Sequence, residues 1–259
     1  MDFNVASISE KGEREKNEDC IVVSAAENSL CAVLCDGLGG HYGGELASAC
    51  VCESIKKNFE CHDWEGSPEE LVNSLIEQAQ EDLHARQLEL GREDGIKTTV
   101  CCLVIKDDKA AAAYVGDSRI YLFKNNKMFC RTQDHSVPQY LVKMGEIKET
   151  DIRHHPDRNK LLRVMGSKWD QPQQQQMKLP ELDGRNDFLI CSDGFWEWIT
   201  EKEMTACLRE ADTSQAWLDK MRDLVNEHGA GNHMDNFSAI AVRVVNKNKI
   251  IKFGKFFRR

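Results

Sequence analysis

The run TTVCCLVI (98–105), KAAAAYVGD (109–117), RIYLF (119–123) and KMFCR (127–131) decides the fold class. These are short apolar stretches parted by Asp107-Asp108 and Asn125-Asn126. A parallel crossover needs a dozen residues or more, so such turns join antiparallel neighbours. Before this run lie two more strand-like stretches, DCIVVSA (19–25) and LCAVLCD (30–36). After Gly43 the period changes: Ala47, Cys50, Val51, Ser54, Ile55 and Phe59 share one helical face. A second helix opens at Ser67-Pro68-Glu69-Glu70, where Ser67 and Glu70 make a capping box and Pro68 fits the first turn. Leu71, Leu75, Ala79 and Leu83 carry that helix to about residue 90. Residues 132–182 are polar with few strand signals, and the glutamines 173–176 read as solvated loop. DFLICSD (187–193) and FSAIAVRVV (237–245) are further strands around helical patterns at 200–228. Antiparallel strands with one early helix pair and one late helix group predict an α+β domain. Its sheets are sandwiched by helices and are not doubly wound.

The composition agrees with a folded chain. Of 259 residues, 41% are hydrophobic and 30% charged, which excludes bulk disorder. The net charge of -9 argues against a chain-wide nucleic-acid footprint. Eleven cysteines include no CxxC pair, and Cys31, Cys35, Cys101, Cys102 and Cys191 sit inside apolar runs. They read as free thiols in a reducing cytosol rather than as disulfides or zinc ligands. The first residues are charged and lack the apolar segment of a signal peptide, and no apolar run is long enough to cross a membrane. A cytoplasmic location follows as the expectation.

Acidic residues fall at strand ends. Asp36 and Asp193 each end an apolar strand before glycine; Asp117 follows AAAAYVG; Asp235 and Asn236 precede the last strand; Glu18 and Asp19 precede the first. An Asp-Gly turn alone is ordinary. If these ends share one rim, the carboxylates crowd, which is costly unless a cation sits among them. Oxygen-only ligands favour Mg²⁺ or Mn²⁺ over zinc. The stretch DGLGGHYGGE (36–45) is not a Walker A loop, and no DxD stands near Asp36 to support an aspartyl-phosphate route.

Eight motifs in order carry a resemblance: GEREKNED (12–19), DGLGGHYGGELAS (36–48), TTVCCLVI (98–105), YVGDSRIYLF (114–123), TQDHS (132–136), HPDRNKLLRVMG (155–166), FLICSDGFWE (188–197) and MDNFSAI (234–240). The chain resembles bacterial-type PPM (type 2C) metal-dependent Ser/Thr protein phosphatases over about residues 5–245. The resemblance implies a four-layer αββα sandwich with two antiparallel sheets. It implies a phosphatase domain over 1–245, with a flap over about 136–180 that begins at Ser136.

Residue by residue, the resemblance makes Asp36 a bridge between two Mn²⁺ or Mg²⁺ ions. Glu18 and the Gly37 carbonyl join one ion, Asp193 and Asp235 the other, and Asp117 a third, weaker one. Asp19 orients water and Arg14 binds phosphate. The implied reaction is in-line attack by a metal-activated hydroxide on phosphoserine or phosphothreonine, with no phospho-enzyme. Arg14 would pair bidentately with phosphate oxygens. The implied partners are phosphoproteins made by a Ser/Thr kinase, and the family is usually monomeric. A pseudophosphatase and a two-metal nuclease are the alternatives; the intact ligand set disfavours the first and the acidic charge the second.

Leu38 departs from the histidine that many eukaryotic members place there as a general acid. His41 reads as a loop histidine, His135 as a hydrogen-bonding residue near the flap, and His155 as structural. Trp196 and Trp198 read as packing. Residues 246–259, NKNKIIKFGKFFRR, carry six basic residues and no acid, leaving 28 basic against 43 acidic residues elsewhere. Such a basic-aromatic tail suits an anionic surface or a partner. Packing of the terminus on the acidic body is the favoured reading.

Overall fold

A computed structural model describes residues 1–26, 28–39, 43–61, 66–92 and 95–246. His41 and the tail from 247 onward lie outside the described residues. In chain order the described elements are β1 (Asp2–Glu10), β2 (Asp19–Ala26), β3 (Ser29–Leu38), α1 (Gly43–Cys61) and α2 (Pro68–Glu89). Next come β4 (Lys97–Thr98), β5 (Val100–Lys106), β6 (Lys109–Val115), β7 (Arg119–Lys124) and β8 (Lys127–Arg131). Then follow α3 (Val137–Met144), a 3-10 helix (Glu149–His154), β9 (Gln175–Met177) and β10 (Gly184–Cys191). The last are α4 (Asp193–Trp196), α5 (Glu201–Arg209), α6 (Ser214–Gly229) and β11 (Phe237–Asn246).

The turn chemistry works as the sequence predicts. Asn125 and Asn126 both take positive φ, 52° and 56°, the geometry that lets a two-residue turn follow strand twist. β7 therefore folds back on β8, and β5 on β6, both antiparallel. The Ser67 cap is also formed: Ser67 Oγ accepts from Glu70 N at 3.2 Å, and Ser67 N donates to Glu70 Oε2 at 3.0 Å. Leu71, Leu75, Ala79 and Leu83 are all buried.

Two antiparallel sheets result, ordered β1-β11-β10-β7-β8 and β2-β3-β5-β6-β9, with β4 pairing β3. Side chains alternate between two faces along every strand. On β3, Leu30, Ala32 and Leu34 point into the layer between the sheets. Cys31, Val33 and Cys35 point toward Val51, Ile55 and Leu75 of α1 and α2. On β10, Phe188 and Ile190 face the inner layer, while Leu189 and Cys191 face Trp217 and Met221 of α6. Three apolar layers thus separate four structural ones, an αββα sandwich. Both faces of each sheet are covered, which is why antiparallel strands read as unbroken apolar runs.

Three features differ from the sequence reading. The first strand is β1, not β2; DFNVASISE buries only Ala6, so it shows no apolar run, yet it pairs with β11 along its whole length. The glutamine stretch is not all loop: Gln175–Met177 pairs with Tyr114–Ala112 of β6 through backbone groups, which need no apolar side chains. And β6 and β7, three residues apart, lie in different sheets, so residues 116–118 cross between the layers.

Candidate metal centre

The start of β2, the ends of β3 and β10 and the approach to β11 carry the strand-end acids. The register of β2 on β3 sets Asp19 directly opposite Asp36. Like charges in that relation are destabilising by themselves. Asp36 is anchored by its backbone. Its N–H donates to Thr99 Oγ1 at 2.9 Å, and its carbonyl accepts from Thr98 Oγ1 at 2.7 Å and Thr99 N at 2.8 Å. Across the seam, Ser192 Oγ donates to Asp19 Oδ2 at 2.9 Å, just before Asp193. Asp193 Oδ1 accepts from Gly194 N at 2.6 Å.

Asn236 ties the N-terminal acidic loop to β11. Its Oδ1 accepts from Glu18 N at 2.8 Å, and its Nδ2 donates to the carbonyls of Lys11 and Lys16 at 2.9 and 2.7 Å. Asp235 beside it accepts from Arg14 Nη2 at 2.6 Å through Oδ2 and from Asn236 N at 2.8 Å through Oδ1. Two glycine contacts make the approach close enough. A Cβ on Gly37 would stand 2.4 Å from the Gly44 carbonyl, and one on Gly44 would stand 2.9 Å from Glu18 Oε2. The start of α1 therefore lies against both Gly37 and the Glu18 side chain.

Burial is the first cause that pushes the proton affinity of these acids up, and their mutual charge is the second. Asp36 is raised well above the usual range by burial, then by Asp193, Asp19 and Asp117. Asp117 is raised by burial, then by Asp193 and Asp134. Asp193 is raised by burial and Asp235, and Glu18 by burial and Asp235. Asp19 is pushed up to about 7, chiefly by burial, with Asp193 and Asp235 adding to it. Glu197, which the sequence reading did not single out, is raised to about 7 by burial and then Asp193, although Arg158 Nε binds its Oε1 at 2.7 Å.

These observations fit a hard divalent cation. Every side-chain donor is a carboxylate oxygen. Asp19 Oδ1, itself buried, has no hydrogen-bond partner among the described residues, and each of the largest influences on Asp36 opposes its ionisation. Among the described residues no three His, Cys, Asp or Glu side chains close on a single point. Asp235 is turned onto Arg14.

The protein phosphatase 2C family model matches residues 11–237, the span that holds every one of these side chains. The chain belongs to the protein phosphatase 2C family. This is a family of hydrolases that act on phosphoproteins. Protein phosphatase PhpP of Streptococcus pneumoniae is 30% identical over 249 residues, covering 91% of this chain and 94% of its own. The serine/threonine phosphatase Stp1 from Staphylococcus aureus superposes with a TM-score of 0.83 at 27% identity, covering 95% of this chain and 96% of its own. The catalytic domain of the serine/threonine protein phosphatase PstP, solved in complex with two manganese ions, has a TM-score of 0.79 at 22% identity, covering 94% and 99%.

In this protein phosphatase 2C the remaining candidates fall as follows. Arg14 stands at the surface and Gly37 is buried at the end of β3. Asp117 is buried in the crossing between the sheets. His135 is a hydrogen-bonding residue: Nδ1 accepts from Gly116 N at 3.2 Å, Nε2 meets Gln175 Oε1 at 3.2 Å, and burial lowers its pKa to about 4. His155 Nδ1 accepts from Asp157 N at 3.1 Å, a turn contact. All eleven cysteines are free, and burial pushes the Cys35, Cys101 and Cys191 thiols up, which makes them poor nucleophiles. Thr98, Thr99, Ser192 and Asn236 are the supports that sequence reasoning missed as such. Their signal was only their position beside Asp36, Asp193 and Asp235.

Proposed function

We propose that this chain hydrolyses phosphoserine and phosphothreonine in proteins with the help of two Mn²⁺ or Mg²⁺ ions and a third, weaker one. The observation that carries the reading is the half-buried acid pair Asp19 and Asp36, set opposite one another, with Asp193 near enough to oppose the ionisation of both and one Asp19 oxygen unpartnered among the described residues. Asp36 would serve both principal ions, Glu18 and the Gly37 carbonyl one of them, Asp193 and Asp235 the other, and Asp117 the third. When bound, such ions supply Lewis acidity and make water a better nucleophile at neutral pH.

The chain's own groups do the rest. Asp19 would orient water through Oδ1, the oxygen left without a partner among the described residues, while Ser192 holds Oδ2. Arg14 lies at the mouth, 57% exposed, where its planar fork suits a phosphate dianion. Its present partner, Asp235, would exchange it for a cation, freeing the guanidinium for substrate. Attack on phosphorus needs no protein nucleophile, in keeping with thiols whose ionisation burial opposes. Leu38 ends β3 and has no titratable group, so it cannot protonate the leaving alcohol.

The substrates are phosphoproteins made by a Ser/Thr kinase that this chain opposes. It acts as a monomer in the cytoplasm, where its free cysteines stay reduced. Residues 136–180 serve as the flap. Purified protein is expected to hydrolyse p-nitrophenyl phosphate and phosphothreonine peptides with added Mn²⁺ and to stop with chelator. Asp36→Asn and Asp193→Asn should each lose both Mn²⁺ binding and turnover. Wild-type turnover in either variant, at verified metal depletion, refutes the proposal.

A further inference from the structure

One network lies apart from the acids yet ends on one of them. Trp196 in α4 is 2% exposed and stands three residues after Asp193. Its indole N–H donates to the backbone carbonyl of Asp117 at 3.0 Å. That carbonyl belongs to the crossing at 116–118, between the end of β6 in one sheet and the start of β7 in the other.

The indole is itself held. The Arg119 guanidinium carbon stacks 3.5 Å from its ring centre, and that of Arg153 approaches to 5.5 Å. Arg119 is immobile: its Nε and Nη2 grip both Asp134 carboxylate oxygens at 2.8 and 2.7 Å, and its Nη1 donates to the Tyr121 hydroxyl at 3.2 Å. Arg153 is tied to Glu201 at 2.8 Å. Two anchored cations thus set the ring, and the ring sets the direction of its N–H.

We propose that Trp196 is a positioning residue for Asp117, its indole N–H fixing the main chain of the crossing so that the Asp117 carboxylate stays beside Asp36 and Asp193. Cation binding that uses Asp117 then depends on a donor that never touches the cation. The inference rests on the cation-binding role given to Asp117 above. It is separable from simple packing, because Trp196→Phe keeps an aromatic ring beneath the arginines and removes the N–H.

The test is direct Mn²⁺ binding to the full chain, by calorimetry and by the spin-resonance signal of free Mn²⁺. Wild type, Trp196→Phe, Asp117→Asn and the double variant are compared. Asp117→Asn is expected to abolish one class of sites. Trp196→Phe is expected to weaken that class about tenfold, the lower end for loss of an outer hydrogen bond, and to leave the others unchanged. In the Asp117→Asn background it should change nothing further. If Trp196→Phe weakens every class alike, or none while Asp117→Asn is effective, the positioning role is overturned and the phosphatase reading stands. If Asp117→Asn leaves binding intact, the ligand role of Asp117 and the present inference fall together. Should Trp196→Phe lose its near-ultraviolet dichroism, Arg153→Met carries the test. It keeps the indole and removes one anchored cation, so about threefold weakening confined to the same class is expected, and no change overturns the inference.

Discussion

Replacing Asp19 by asparagine isolates the electrostatic strain of the centre when chelator keeps it free of metal. Asp19 Oδ1 is sealed from solvent without a partner, and the carboxyl is pushed from 3.8 to about 7. At 1.36 kcal/mol for each tenfold in proton affinity, ionised Asp19 destabilises the native state by about 4 kcal/mol. The sign follows from proton counting. Below 3.8 both states hold the proton, and Asp19 has no effect. Between 3.8 and about 7 the unfolded chain releases it while the native chain keeps it, so stability falls as pH rises. Above about 7 the full penalty remains. Asparagine removes the charge but places an amide N–H where Oδ1 found no partner, at a cost of about 1–3 kcal/mol. In chelator at pH 8, Asp19→Asn should therefore exceed wild type by about 1–3 kcal/mol. At pH 4 it should be the less stable of the two. Urea unfolding at the two pH values reads this directly. Excess Mn²⁺ should reverse the order at pH 8, since wild type then gains binding energy. A difference that does not change with pH would refute the electrostatic account.

Three further outcomes test the scaffold. Asp134→Asn breaks the bidentate pair with buried Arg119 and should destabilise the protein by about 3–5 kcal/mol in urea, because an unpaired guanidinium stays buried. Gly194→Ala would set a Cβ 2.1 Å from the Asn236 carbonyl and 3.3 Å from Asp235 Cβ; a loss of about 3 kcal/mol together with weaker Mn²⁺ binding is expected. Ser67→Ala removes the α2 cap and should lower stability by about 1 kcal/mol, with Mn²⁺ binding unchanged in calorimetry.

The acids were legible because each punctuates an apolar strand, and the antiparallel class because Asp107-Asp108 and Asn125-Asn126 are too short for crossovers. What pattern could not show was which strand ends meet. Residues 116–118 look like one more turn, yet they step between sheets, and only there does Asp117 come under the influence of Asp36 and Asp193. β1 was hidden because its partner, β11, is at the far end of the chain and its own side chains are mostly half-exposed. β9 was hidden because an edge strand can be held by backbone bonds alone, whatever the glutamines do. The supporting roles of Thr98, Thr99 and Asn236 escaped notice for a related reason. A polar residue that supports a neighbour's backbone has no periodicity of its own, and its partners are distant in sequence.

The order of strands has a consequence for synthesis on the ribosome. Residues 19–177 contain all of the sheet that carries Asp19 and Asp36, together with both of its helices, so that half can assemble while the rest is still being made. The other sheet cannot, because β11 is wedged between β1 and β10 and is the last of the described strands to be translated. Until it emerges, the earliest strand has no neighbour, and Asn236 is not there to fasten the loop that bears Glu18. The loop that bears Glu18 thus takes its final place only after β11 has joined the sheet, so a nascent polypeptide stopped short of β11 holds the acids of one sheet without those of the other.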